Sequence, residues 1–248
     1  MLVTACALPN DPCRPAAMIF SYEQFQYTIE TLLKGLQLTL SIGLYSIFWS
    51  LLIGVGLALM RVSSQRLLSR FALCYSTLFR GTPLLVQLFI LYYGIGTLDF
   101  VRHSPTLWWL FSDGTRCAIL AIGLNSGAYI SEVFRGGLQS VPRGQIEAAQ
   151  AIGMSPIKRF SRIVFPLALR QALPAYSNEI VIAIKGTSLA STIAVLDITG
   201  QARRVMSQNY AVMETFIVAG LLYLIINFSL LFLLQLFERA LGMHKAEQ

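Results

Sequence analysis

Two groups of residues in this chain have the types and spacing to do chemical or mechanical work. The first is Glu147-Ala148-Ala149, followed after three residues by Gly153 and, further on, by Ile163, Phe165 and Pro166. Glu147 offers a carboxylate to a donor on another molecule, and the two alanines keep the surface beside it low. The second group is polar and lies within apolar stretches: Gln87, Asn125, Asn178 and Glu179. Together these would form a polar translocation path, in which an acid attracts an amine or guanidinium. A rival reading pairs Glu179 with Lys185, although a spacing of six puts the two on poorly matched helical faces.

Covalent catalysis is not indicated. The sequence has no G-x-x-x-x-G-K-[ST] to cradle ATP, and His103 and His244 are far apart with no metal-ligand pattern around them. Cys6, Cys13, Cys74 and Cys117 contain no C-x-x-C pair, so they read as buried free thiols. The chain is expected to bind neither cofactor nor metal.

The elements that must position these groups are membrane helices. Apolar residues make up 55% of the 248 and charged residues 12%, about half the usual share. Gly35–Met60 and Thr215–Phe237 carry no charge and are long enough to cross ~30 Å of hydrocarbon. Phe71–Leu98 reads as a span broken at Arg80-Gly81-Thr82-Pro83, with Arg80 bonding the freed carbonyls. Arg116–Gln139 is a third span, whose Gly123, Ser126, Gly127 and Ala128 permit close helix approach. Ile163–Leu196, interrupted by Pro166 and Pro174, is a fourth. The fold expected is therefore an all-α polytopic membrane protein of about five spans. Residues 1–17 read as an extension outside a single membrane domain, 18–248, with Met18 as the true start. In the last span, Asn227 and Ser229 are read as interhelical contacts.

Net charge is +7, and its distribution decides what it means. Arg61, Arg66 and Arg70 follow the first span, and Arg135, Arg143, Lys158, Arg159 and Arg162 follow the third, so both connections are expected in the cytoplasm. The connections holding Asp99, Arg102, Asp113 and Arg116, and Asp197, Arg203, Arg204 and Glu214, are more balanced and are expected outside. The amino terminus is then outside and the carboxy terminus cytoplasmic. Trp108 and Trp109 suit an interfacial anchor in contact with membrane lipid. Nucleic acid is not an expected partner, since a basic element tethered to the bilayer at both ends has little freedom to enter a major groove.

Within the basic connection, Gln145–Ile152 predicts a short helix that Gly153 terminates in a left-handed conformation. Ser155 would cap a second helix with Pro156 at its first position. Ile146, Ala149, Gly153, Ile157, Phe160 and Val164 would share one stripe if helical phase carried through the turn. An elbow resting on the membrane surface and an elbow inserted into a soluble partner are the two readings of that pattern.

The spacing from Glu147 to Pro166 resembles the EAA loop of permease subunits of bacterial ABC importers. Phe79–Leu88, Leu124–Tyr129 and Ala172–Glu179 are similar to the polar amino-acid branch, in particular the histidine, lysine, arginine, ornithine and octopine systems. The resemblance runs from about Thr31 to Leu241, with Phe165 standing where the loop pattern usually has Leu. It implies a type I importer permease with Glu147, Ala148, Ala149, Gly153, Phe160 and Pro166 in the ATPase-coupling loop. It further implies two ATP-binding subunits that use ATP and Mg, a second permease, homologous or identical, and a periplasmic or external amino-acid-binding protein, all at the bacterial inner membrane. The competing function is an autonomous ion-coupled carrier or channel.

Overall fold

The computed structural model describes residues 22–240. The expectations for residues 1–17, Met18, Cys6, Cys13, His244 and the end of the tail lie outside them. No strand occurs among the described residues.

Three continuous helices are long and apolar enough to cross a membrane: α1 (Tyr22–Val62), α6 (Gly114–Gln139) and α11 (Val212–Ala240). Two bent pairs bring the count of candidate spans to five when each pair is taken as one span. In the first, α2 (Arg66–Gly81) meets α3 (Leu84–Phe89), which runs on through a π turn to Thr97, at an angle of 101°. Pro83 causes this break: its φ is −63° and ψ 137°, and Thr82 before it is extended. Arg66 and Arg70 belong to α2 rather than to the connection before it.

The second bent pair differs from expectation. Neither Pro166 nor Pro174 ends a helix. Pro166 follows directly on the π turn Phe160–Val164, at the second residue of α9 (Phe165–Gly186), and Pro174 lies inside that helix. The real change comes at Thr187–Ile193, which tightens into a 3₁₀ helix and ends at Ala194 with φ 62°. Beyond it, α10 (Ile198–Asn209) continues at 45°. Arg203 and Arg204 therefore lie in a helix, which the extended Asp197 caps, rather than in a loose connection.

Two short helices, α4 (Asp99–His103) and α5 (Pro105–Phe111), lead into α6. Asp113 caps α6, its Oδ1 accepting from the Thr115 N–H at 2.6 Å.

Small residues set the packing of α1 on α6. A Cβ added to Gly127 would come 2.9 Å from Ile53 Cγ2, and one on Gly54 would collide with Ile130. Substitution there would push the helices apart. α2 joins this pair through Tyr75, whose hydroxyl donates to the Leu124 carbonyl at 2.9 Å, and through Ser76 and Ser131, 2.8 Å apart.

Asp197 ties α1, α10 and α11 together and is fully buried. Its Oδ1 accepts from the Gly200 N–H at 2.9 Å, and its Oδ2 accepts from the Tyr223 hydroxyl at 2.9 Å. The Ile198 N–H donates to Thr39 Oγ1 at 3.1 Å. Gly35 permits this, since a Cβ there would meet the Asp197 carbonyl carbon at 2.6 Å. Asn227 is also buried, and its side-chain amide donates to the Tyr223 carbonyl of its own helix at 2.7 Å.

Candidate functional site: a polar clamp and an exposed elbow

The break at Pro83 leaves carbonyls without helical partners, and the side chains placed nearby answer them. Gln87 Nε2 donates to the Phe79 carbonyl at 2.9 Å, the Thr82 carbonyl at 3.1 Å and Thr82 Oγ1 at 2.6 Å. Asn125 Nδ2, from α6, donates to the same Phe79 carbonyl and to Gln87 Oε1, both at 3.1 Å. The Tyr129 hydroxyl donates to the Arg80 carbonyl at 3.4 Å. Gln87 and Asn125 thus perform the task expected of Arg80, because amides on neighbouring turns reach the open carbonyls directly. The Arg80 guanidinium instead lies over the Tyr129 ring, 5.5 Å from its centroid.

Of the four polar residues expected on one path, Gln87 and Asn125 meet. No hydrogen bond joins Asn178 or Glu179 to them among the described residues. Asn178 is exposed on α9, and Glu179 is half-buried beside it, within electrostatic reach of Arg80. Lys185 is exposed, and no ion pair links it to Glu179.

The ion pairs among the described residues centre on Glu132, which the sequence reading passed over. Arg135 holds it at 2.7 Å and Arg61 approaches to 3.7 Å, joining the ends of α1 and α6. An acid three residues before an arginine was the available signal.

The elbow is built from α7 (Arg143–Ala151) and α8 (Pro156–Arg159), the latter running through a π turn into α9. Gly153 has φ 77°. The Gly153 N–H donates to the Gln150 carbonyl at 2.9 Å and the Met154 N–H to the Ala149 carbonyl at 3.1 Å. This pair of bonds closes α7 as the glycine predicted. Pro156 opens α8, and the Ser155 carbonyl accepts from the Arg159 N–H at 2.9 Å. The Ser155 hydroxyl makes no capping bond, contrary to expectation.

The single stripe across the elbow does not form. The left-handed Gly153 and the extended Ser155 redirect the chain, so helical phase is lost between α7 and α8. Ala149 turns inward at 2% exposure, while Ile157 stands 82% exposed. Ile152, absent from the expected stripe, is 76% exposed. Glu147, Ala148 and Pro166 are exposed as well, and Phe160 tilts against Phe165 with centroids 6.1 Å apart. Two large apolar side chains projecting beside a rigid turn can enter a complementary groove.

The model of the family described as "binding-protein-dependent transport system inner membrane component" matches residues 50–243. The nopaline transport system permease protein NocM of Agrobacterium fabrum is 48% identical over 86% of this chain and 88% of its own. The octopine permease OccM of Rhizobium radiobacter is 49% identical over 86% and 87%. The histidine/lysine/arginine/ornithine permease HisM of Salmonella typhimurium is 41% identical over 83% and 87%. A chain of an amino acid ABC transporter crystallised with histidines superposes with a TM-score of 0.78 at 30% identity, covering 89% of this chain and 98% of that one. A chain of the MetNI methionine transporter shares the fold, with a TM-score of 0.72 at 19% identity over 87% and 98%. With these matches spanning both the elbow and the clamp, the chain belongs to the family of inner membrane components of binding-protein-dependent transport systems and is an ABC importer permease.

Proposed function

We propose that this permease carries basic amino acids or the opines derived from them, and that its elbow is the part gripped by an ATP-hydrolysing subunit. The observation that carries the second half is the pair Ile152 and Ile157, large apolar side chains left 76% and 82% exposed on either side of the glycine turn. Burying them against a partner recovers about 1.5–3 kcal/mol apiece by area alone. Glu147 adds a carboxylate on the same elbow. Glu147, Ala148, Ala149, Gly153, Phe160 and Pro166 then form one mechanical unit, with Ala149 its inner support.

The partners in this reading are two ATP-binding subunits, a second permease and an external solute-binding protein, with ATP and Mg confined to the ATP-binding subunits. The elbow lies in the cytoplasm, the amino terminus outside and the carboxy terminus inside, in line with the basic residues around α7 and α8. Residues 18–248 act as one membrane domain. Coupling requires the elbow to fit different nucleotide states of the ATPase differently, because equal affinity for all states shifts nothing.

The relatives named for nopaline, octopine and the histidine group support the substrate class. In the polar region, Glu179 and Asn178 on α9 are the groups free to face a passing solute, while Gln87 and Asn125 maintain the shape of the path. An autonomous ion-coupled carrier would need no soluble ATPase, and the family match does not support it. Competitive uptake of arginine, lysine, histidine, glutamate and octopine, with and without this chain and its ATPase, tests the proposal. Uptake driven by ions in the absence of the ATPase would refute it.

A further inference from the structure

A groove of about 620 Å³ opens on the side of the bundle between α1, α5 and α6, lined by Tyr45, Trp49, Trp109, Ile119, Leu120 and Leu124. Arg116, in the first turn of α6, also lines it. Its guanidinium lies over the Trp109 ring, 4.2 Å from the centroid, and donates one hydrogen bond to the Trp109 carbonyl. No carboxylate comes within 4.0 Å of it among the described residues. Asp113, the nearest acid in sequence, accepts from the Thr115 and Arg116 N–H groups at the cap. A guanidinium carries five donors, so Arg116 has several left for an anion.

From these observations we infer that the groove holds an anionic phospholipid, with one acyl chain along α1 and α6 and its phosphate on Arg116. Several features favour this occupant. From Arg116 to Leu124 the groove follows α6 for about 12 Å, apolar except at the Arg116 end, which matches a molecule with one charged end. Trp109, beside Arg116, is 60% exposed, and aromatic rings of this kind gather where headgroups meet hydrocarbon. Arginine forks around phosphate oxygens, and stacking on Trp109 holds the fork in place.

The test uses the full chain purified with its co-expressed ATPase, delipidated and titrated with phosphatidylglycerol or phosphatidylcholine, with bound lipid counted by native mass spectrometry. Phosphatidylglycerol is expected to bind about fivefold more tightly than phosphatidylcholine, whose phosphate charge is offset by the choline cation next to it. Arg116→Gln should erase that preference and Arg116→Lys should keep most of it. Leu120→Phe, which narrows the groove with Arg116 intact, should reduce phosphatidylglycerol binding and so supports the site even if Arg116→Gln fails to fold. A preference unchanged in Arg116→Gln, or phosphatidylglycerol binding unchanged in Leu120→Phe, overturns the inference. So does the absence of any preference in the unaltered protein, as expected of an ordinary lipid annulus or of a groove covered by a second permease.

Discussion

Two interruptions of helix serve opposite ends in this permease. At Pro83 the chain turns through 101°, and the open carbonyls of Phe79 and Thr82 are met by Gln87 and Asn125 within the same chain. At Gly153 the chain also turns, and its backbone is closed by two hydrogen bonds, yet Ile152 and Ile157 are left projecting. One break is complete in itself, whereas the other is complete in its backbone and unfinished in its side chains. The contrast is between a bend satisfied within the chain and a turn that leaves two large apolar side chains exposed.

The sharpest way to break the contrast is Gly153→Arg. A non-glycine residue in the left-handed region costs about 1–2 kcal/mol, and an added Cβ meets nothing within 4 Å, so the fold should survive. ATP-coupled uptake is expected to fall to background while membrane insertion is retained, and normal uptake would count against the elbow. Next in size is Ile152→Asp together with Ile157→Asp. ATPase stimulation by substrate should drop severalfold with thermal stability within ~0.5 kcal/mol of the parent, as expected for exposed positions. A large loss of stability instead would mean that these side chains pack within the chain.

Gln87→Leu should behave in the opposite way. It strands the Thr82 carbonyl and removes the acceptor of Asn125, at a cost of about 1–3 kcal/mol read as a lowered thermal midpoint in detergent. An unchanged midpoint would show that water serves the break equally well. The smallest effect is expected from Thr82→Val, which removes a hydroxyl that accepts from Gln87 at 2.6 Å and donates to the Leu78 carbonyl at 2.9 Å. About 1 kcal/mol is at stake, and a double-mutant cycle with Gln87→Leu should show the two to be coupled.

The same contrast explains what the sequence revealed. Helix breakers and long apolar runs act locally, so α1, α6, α11, the bend at Pro83 and the turn at Gly153 were all legible in it. Pro174 misled because a proline alone does not say whether neighbouring helices will carry the chain onward. Asp197 was hidden for a tertiary reason: Tyr223, which donates to its carboxylate, and Thr39, which accepts from the adjacent Ile198 N–H, come together only once α1 and α11 close around α10. Ile152 was missed because the stripe assumed continuous phase through a residue whose backbone breaks it. The roles of Gln87 and Asn125 required knowing that α6 lies against the bend.

The length of α1 has a consequence of its own. Its 41 residues make a rod of about 60 Å, twice the ~30 Å of oil available. Hiding all of it would demand a lean of about 60°, beyond the 0–40° that membrane helices adopt. Glu23, Gln26, Glu30 and Lys34, all exposed, mark the portion standing in water. A hydrogen bond from the Tyr27 hydroxyl to Gln208 braces that portion against α10. α1 and the helix capped by Asp197 are thus tied at two points, Tyr27 to Gln208 and Thr39 to Ile198.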